Sequence, residues 1–304
     1  MFIFHKESNQ KWRFRPKISG RNTIPPTFYD DPREHMTTAQ RLLPLAATLL
    51  ALLMHPAYAG GAGTSEYSVK ASTMTATASL ASQYVWRGFR KSDGRPAGQM
   101  NLDYRHASGW SAGTWASSIG DRAVDKGWLE WDVYGGYSGK AGGLGYSAMV
   151  YYYMYPGARV GGSGRSYDYG EFAAGLNYKS VYARYYHTYT RDFFGVADAR
   201  GTGYLDVGIR QPIGDTTTLN LHAGDGSVAG KTNAGMDWRD VKAGLSQKLG
   251  KGWSLSGTYS RTLGATGNSA FERYASAMPR TDLRPLAGNR SRSGALVMKL
   301  SRSF

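Results

Sequence analysis

From residue 72 onward, apolar and polar positions alternate with a period of two over short segments at hairpin spacing. Leu144, Tyr146, Ala148, Val150, Tyr152 and Met154 share one face of such a segment, and Phe172, Ala174, Leu176 and Tyr178 share one face of the next. Leu205, Val207 and Ile209 oppose Asp206 and Arg210, while Val241, Ala243 and Leu245 oppose Lys242, Gly244 and Ser246. The pattern predicts twelve strands, over 72–88, 96–107, 110–119, 128–138, 144–154, 168–178, 181–190, 202–211, 217–225, 238–247, 253–262 and 292–304. A soluble antiparallel sheet with one wet face gives the same alternation, so the pattern alone does not choose an environment.

The connections do choose. Those after even-numbered strands are short: 108–109, 139–143, 179–180, 212–216 and 248–252. Those after odd-numbered strands are longer: 89–95, 120–127, 155–167, 191–201, 226–237 and 263–291. A soluble sandwich has no reason to sort its loops this way, whereas outer-membrane barrels have short periplasmic turns and long extracellular loops. The expected fold is all-β, an up-and-down antiparallel transmembrane β-barrel of about 12 strands over 72–304. The last segment places Leu296, Met298, Leu300 and Phe304 on one face, with Phe304 as the expected signal to the barrel-assembly machinery. Arg302 interrupts that face and is expected to snorkel toward head groups. Two aromatic girdles are expected, from Trp110, Tyr137, Tyr178 and Trp253 on the short-turn side and Trp86, Trp131, Tyr152 and Trp238 on the long-loop side.

The N-terminal part reads as an address. Arg41 precedes the apolar run Leu42–Met54, Pro56 breaks it, and Ala57-Tyr58-Ala59 is a cleavage pattern, so 36–59 is expected to be a signal peptide. Residues 1–35 show no periodicity and are expected to be a misassigned upstream extension or disordered, and 60–71 a periplasmic lead-in. Export to the outer membrane follows. The chain of 304 residues carries +15 and no Cys, which excludes disulfides, thiolate metal sites and a catalytic Cys. Residues 1–59 hold eight of the 37 Lys+Arg and four of the 22 Asp+Glu, so the remainder carries +11.

Inside a barrel, the polar face of each strand lines the lumen. Strand parity assigns Asp103, Arg105, Glu130, Asp132, Glu171, Arg184, Asp206, Arg210, Lys242 and Lys299 to it, beside Asn101. Turning an Arg or Lys toward lipid at the midplane costs roughly 2–4 kcal/mol, so the barrel forces this assignment. Tyr151, Tyr153, Tyr182 and Tyr186 fall on the same face and narrow the passage. Cross-barrel ion pairing accounts for such residues as well as solute selectivity does.

Ser82–Arg90 (SQYVWRGFR), Asp93–Ala97 (DGRPA), Asp103-Tyr104, Ser108–Ser117 (SGWSAGTWAS) and Glu130–Tyr137 (EWDVYGGY) resemble the TorF-type porin family, conserved hypothetical barrel proteins of Gram-negative bacteria. Tyr155-Pro156-Gly157 and Asp168–Glu171 continue the resemblance, which covers most of 75–190. It implies an outer-membrane porin and supplies no substrate or catalytic residue. The expected function is passive diffusion of small polar, including anionic, solutes, with outer-membrane lipid as surroundings. The alternative is a non-conducting structural or adhesion barrel acting through loops such as 155–167 and 263–291.

Enzymatic chemistry finds little support. His106 and Ser108 share a strand face as in outer-membrane phospholipases, but Ser108 falls in a tight turn and no Asn stands opposite as orienter. Gly230-Lys231-Thr232 resembles the tail of a phosphate loop, yet Asp225 stands where its first glycine belongs. No metal-ligand spacing occurs, no cofactor is expected, and scattered basic charge on an exported chain argues against nucleic acid.

Overall fold

The computed structural model describes residues 72–263 and 294–304. The expected upstream extension, signal peptide and lead-in, and the long connection from 264 to 291, lie outside the described residues. The elements are β1 (Thr73–Ala81), β2 (Val85–Trp86), β3 (Phe89–Arg90), β4 (Ala97–Arg105), β5 (Trp110–Ser118), β6 (Leu129–Ala141) and β7 (Leu144–Met154). They continue with β8 (Tyr169–Tyr178), β9 (Val181–Thr188), β10 (Gly203–Pro212), β11 (Thr217–Ser227), β12 (Trp238–Gly250), β13 (Trp253–Leu263) and β14 (Ala295–Ser303).

Twelve of these strands close into one antiparallel barrel in sequence order. β1 pairs with β4 on one side and β14 on the other, so Thr77 stands between Asn101 and Ser303. Closure leaves no free edge, the condition a strand structure must meet in lipid, where unpaired backbone groups have no water. Short turns demand special backbone at defined positions. Lys179, between β8 and β9, has φ 52°, and Gly109, between β4 and β5, has φ 101°. A Cβ at Gly109 would also run into the ring of Tyr137.

Side-chain alternation is sustained around the barrel. Met74, Leu80, Met100, Val150, Phe172, Ile209, Leu245, Leu255 and Leu300 are all exposed on the outer face. A soluble monomer does not show an apolar exterior of this extent, and lipid explains it. Trp110, Tyr178 and Trp253 stand exposed near the short-turn ends, and Tyr137 packs edge-on against Trp110 at 5.4 Å.

Two expectations are corrected. The first strand ends at Ala81 rather than 88, because the chain leaves the wall and folds into the barrel as the β2–β3 hairpin. The long-loop girdle also loses two members. Trp131 and Tyr152 are exposed on the outer face, but Trp238 is buried in the interior cluster and Trp86 packs against that cluster. Trp238 lies on the inward parity of β12, and Trp86 follows the chain inward. The buried core therefore sits inside the barrel at its long-loop end, where Tyr155, Val160, Tyr167, Phe193 and Phe194 of the loops meet Tyr153, Tyr169 and Tyr204 of the walls.

Candidate functional site

The inward segment 82–96 dominates the lumen. Its hairpin pairs Val85 with Arg90 and Trp86 with Phe89 around Arg87-Gly88. Both turn residues have positive φ, 45° and 86°, the geometry of a two-residue type I′ turn. A Cβ on Gly88 would come within 2.9 Å of the Asp240 Cβ and also strike Thr262, so glycine is required by conformation and by space. Arg87 has no such freedom, and its left-handed backbone persists because its side chain is held on every side.

Arg87 donates to both carboxylate oxygens of Glu171, at 2.9 and 2.7 Å, with both side chains almost fully buried. Its guanidinium lies 4.5 Å from the ring centroids of Trp86 and Tyr186 and 4.2 Å from that of Tyr204. Tyr153 donates to the same Glu171 at 3.1 Å. Four residues on, Lys91 donates to Glu130 at 2.6 Å and Tyr155 donates to the same oxygen at 2.8 Å. The ammonium of Lys91 also sits 4.2 Å from the Trp86 ring, and burial pulls its pKa below the ordinary lysine value against the opposing pull of Glu130. Two desolvated ion pairs thus fasten one inserted loop to β6 and β8. Removing either partner of such a pair is far costlier than never having built it.

The strand-predicted residues all fall on the inward parity of their strands, but they divide into groups. Glu130 and Glu171 receive the two loop cations. Asp132, two residues on from Glu130 on the same face, is buried with its Oδ1 unbonded among the described residues. Asp103 accepts from Tyr134 at 2.7 Å, and Asn101 bonds the same hydroxyl at 2.7 Å. Asp206 accepts from His222 at 2.8 Å, and the other ring nitrogen of His222 reaches Asp240 at 3.0 Å. Tyr204 donates to Asp240 at 2.7 Å. Arg105, Arg184, Arg210, Lys242 and Lys299 form no ion pair among the described residues. Phe304 is exposed and its N–H donates to Ala76 at 2.9 Å. The outward Arg302 lies over the Trp253 and Phe304 rings, at 5.3 and 5.0 Å.

Arg87, Lys91, Tyr155, Tyr204 and Asp240 escaped the sequence reading. The signal for the first two was present in Trp86-Arg87-Gly88-Phe89, an X-Gly pair between apolar residues that marks a hairpin. His106 and Ser108 do meet, Nδ1 to Oγ at 2.7 Å, but both are exposed in the turn after β4. The Ser108 N–H donates to the same Nδ1 at 3.2 Å, which makes the imidazole a turn cap, and no orienting hydrogen bond to its other nitrogen occurs among the described residues. Lys231–Asn233 is a single 3₁₀ turn in which Asn233 ties Ala197 and Ala229 together, not a phosphate loop.

The profile of a bacterial family of unknown function, Gcw_chp, matches residues 66–279. A search of curated proteins gave no match. Among solved structures, a KdgM porin is similar at 10% identity over 77% of this chain and 99% of its own, with a TM-score of 0.45. A NanC porin gives 10% identity, 76% and 99% coverage and 0.45, and an outer membrane channel from Pseudomonas putida F1 gives 11%, 80%, 100% and 0.41.

Proposed function

The chain belongs to the Gcw_chp family of bacterial proteins of unknown function, and we propose that it is an outer-membrane channel for passive diffusion of small polar solutes, with a preference for anions. The reading extends to the TorF-type porins, on the residues between 82 and 171 that resemble them. It takes 36–59 as the export signal, 72–304 as the barrel, and Phe304 as the contact for the assembly machinery. With the short turns in the periplasm, the inserted loop sits toward the outside.

The observation that carries the proposal is a closed wall with apolar side chains outside and ionic side chains inside. Twelve strands enclose more space than the eight-stranded barrels that side chains fill, and less than open porins of 16–18. The inserted loop takes up one side. Across from β8 and β9 several inward residues are small and half-exposed, among them Ser79, Ser111, Gly113, Ser256 and Ser301, beside the larger Trp115 and Lys299, and this side supplies the passage. The charge of +11 on residues 60–304 sets the sign of selectivity.

A second reading has its own support. An aromatic core is packed inside the barrel at the long-loop end, which suits a non-conducting structural or adhesion barrel. Refolded protein in a planar bilayer separates the two. The channel reading expects discrete conductance steps and a reversal potential in a salt gradient that reports anions as the more permeant ions. Absence of steps from protein that migrates as a heat-modifiable folded barrel favours the second reading.

A further inference from the structure

One stretch of the lumen holds three cations beside two carboxylates. Arg184 on β9, Arg210 on β10 and Lys242 on β12 face inward, and none has an ion-pair partner among the described residues. Asp206 stands opposite Arg184 and lines the larger cavity, where it accepts from His222, and Asp240 is bonded to His222 and Tyr204, so three cations face two carboxylates. Register explains the gathering. Tyr182, Gly208, His222 and Lys242 form one rung across β9 to β12, and Arg210 stands opposite Asn220 two residues along.

Glycine makes room for the arrangement. A Cβ at Gly208 would lie 2.6 Å from the Tyr182 hydroxyl, so the absence of a side chain lets that ring lie across β10. The guanidiniums of Arg210 and Arg184 then sit 4.8 and 5.4 Å from the centroid of this one ring. Two cavities, of about 380 and 260 Å³, share Tyr182 and Arg210. The larger reaches Lys242 and Asn220, and the smaller reaches Arg184 and Asn177. Three cations against two carboxylates leave an excess of positive charge, which an anion entering either cavity offsets.

We propose that these cavities are a binding station for a small oxyanion, a carboxylate or a phosphate, on a solute of about monosaccharide size. Lys242 and Arg210 hold the oxyanion in the larger chamber, and Arg210 hands it to Arg184 in the smaller. Guanidinium groups suit this task because they present paired donors to carboxylate and phosphate alike. The direction of travel rests on the channel reading, but binding does not.

The test uses refolded full-length barrel in detergent, followed by intrinsic tryptophan fluorescence, since Trp86 lines the larger cavity. The probes are inorganic phosphate and glucuronate, with glucose as the neutral match to glucuronate. Saturable binding of one or both anions, with glucose at least tenfold weaker, is expected. R210A and K242M are each expected to raise the half-saturating concentration about tenfold. Removing one of three cations that face two carboxylates leaves no excess of negative charge, so both variants should retain heat-modifiable migration, and R184Q serves as a third if one does not. Phosphate binding alone assigns the station to phosphate, and glucuronate binding alone assigns it to carboxylates. Equal affinity for glucose and glucuronate with no phosphate binding, or affinities unmoved by all three variants, overturns the proposal. Binding without bilayer conductance sinks the channel reading and leaves the station standing.

Discussion

Substituting Arg87 by Ala should release the inserted loop while leaving the barrel closed. Arg87 makes two bonds to Glu171, at 2.9 and 2.7 Å, and the exposures of the two side chains are 6% and 0%. Breaking a buried pair by removing one partner costs about 3–5 kcal/mol, because the remaining carboxylate stays dehydrated. The loss of three aromatic contacts adds to this. At about 1.4 kcal/mol per decade, the population with the loop withdrawn should rise roughly 100- to 4,000-fold. The native chain has no Cys, so a single thiol reports the event cleanly. Ser92 lies on the loop at 3% exposure, and maleimide labelling of S92C tracks the withdrawn fraction while reclosure is fast. R87A should therefore speed labelling by at least two decades and raise bilayer conductance. The double variant R87M/E171Q should give back most of the difference, since no buried charge is left alone. A labelling rate within threefold of the S92C parent, from protein with an intact heat-modifiable band, would refute the claim that this pair fastens the loop.

Gly88→Ala should act on the same equilibrium without removing a charge, because the new Cβ meets the side chains of Asp240 and Thr262 and the residue must hold φ 86°. Its cost of about 1–3 kcal/mol should appear as faster S92C labelling. Leu245→Arg, on the outer face, should reduce barrel stability to urea by about 2–4 kcal/mol, whereas Ser256→Arg on the inner face should be nearly neutral for stability and reduce conductance. Equal effects of the two would contradict the assigned faces. Deleting Phe304 removes the N–H that bonds Ala76 and an exposed terminal aromatic, and should lower the yield of membrane-inserted barrel in cells while sparing in vitro refolding into detergent.

The wall of this protein was legible in the chain because strand alternation and turn chemistry are local. Leu144–Met154 carries its period of two without interruption, and the observed strand has the same limits. The parity of Arg184, Asp206, Arg210 and Lys242 followed from that period alone, since a one-residue slip would turn each of them into lipid. The interior was another matter. Residues 72–88 alternate well enough to read as one strand, yet the chain turns inward after Ala81, because Arg87 and Lys91 find Glu171 and Glu130 at sequence separations of 84 and 39 residues. Trp86 and Trp238, apparent girdle residues, are drawn into the aromatic core by the same turn and by inward parity. Sequence determined which residues face water and which face lipid, because that depends on each strand's own periodicity. Which inward charges meet, and which remain unpaired, was decided only by register across strands and by a loop crossing the lumen, relations that no local pattern encodes.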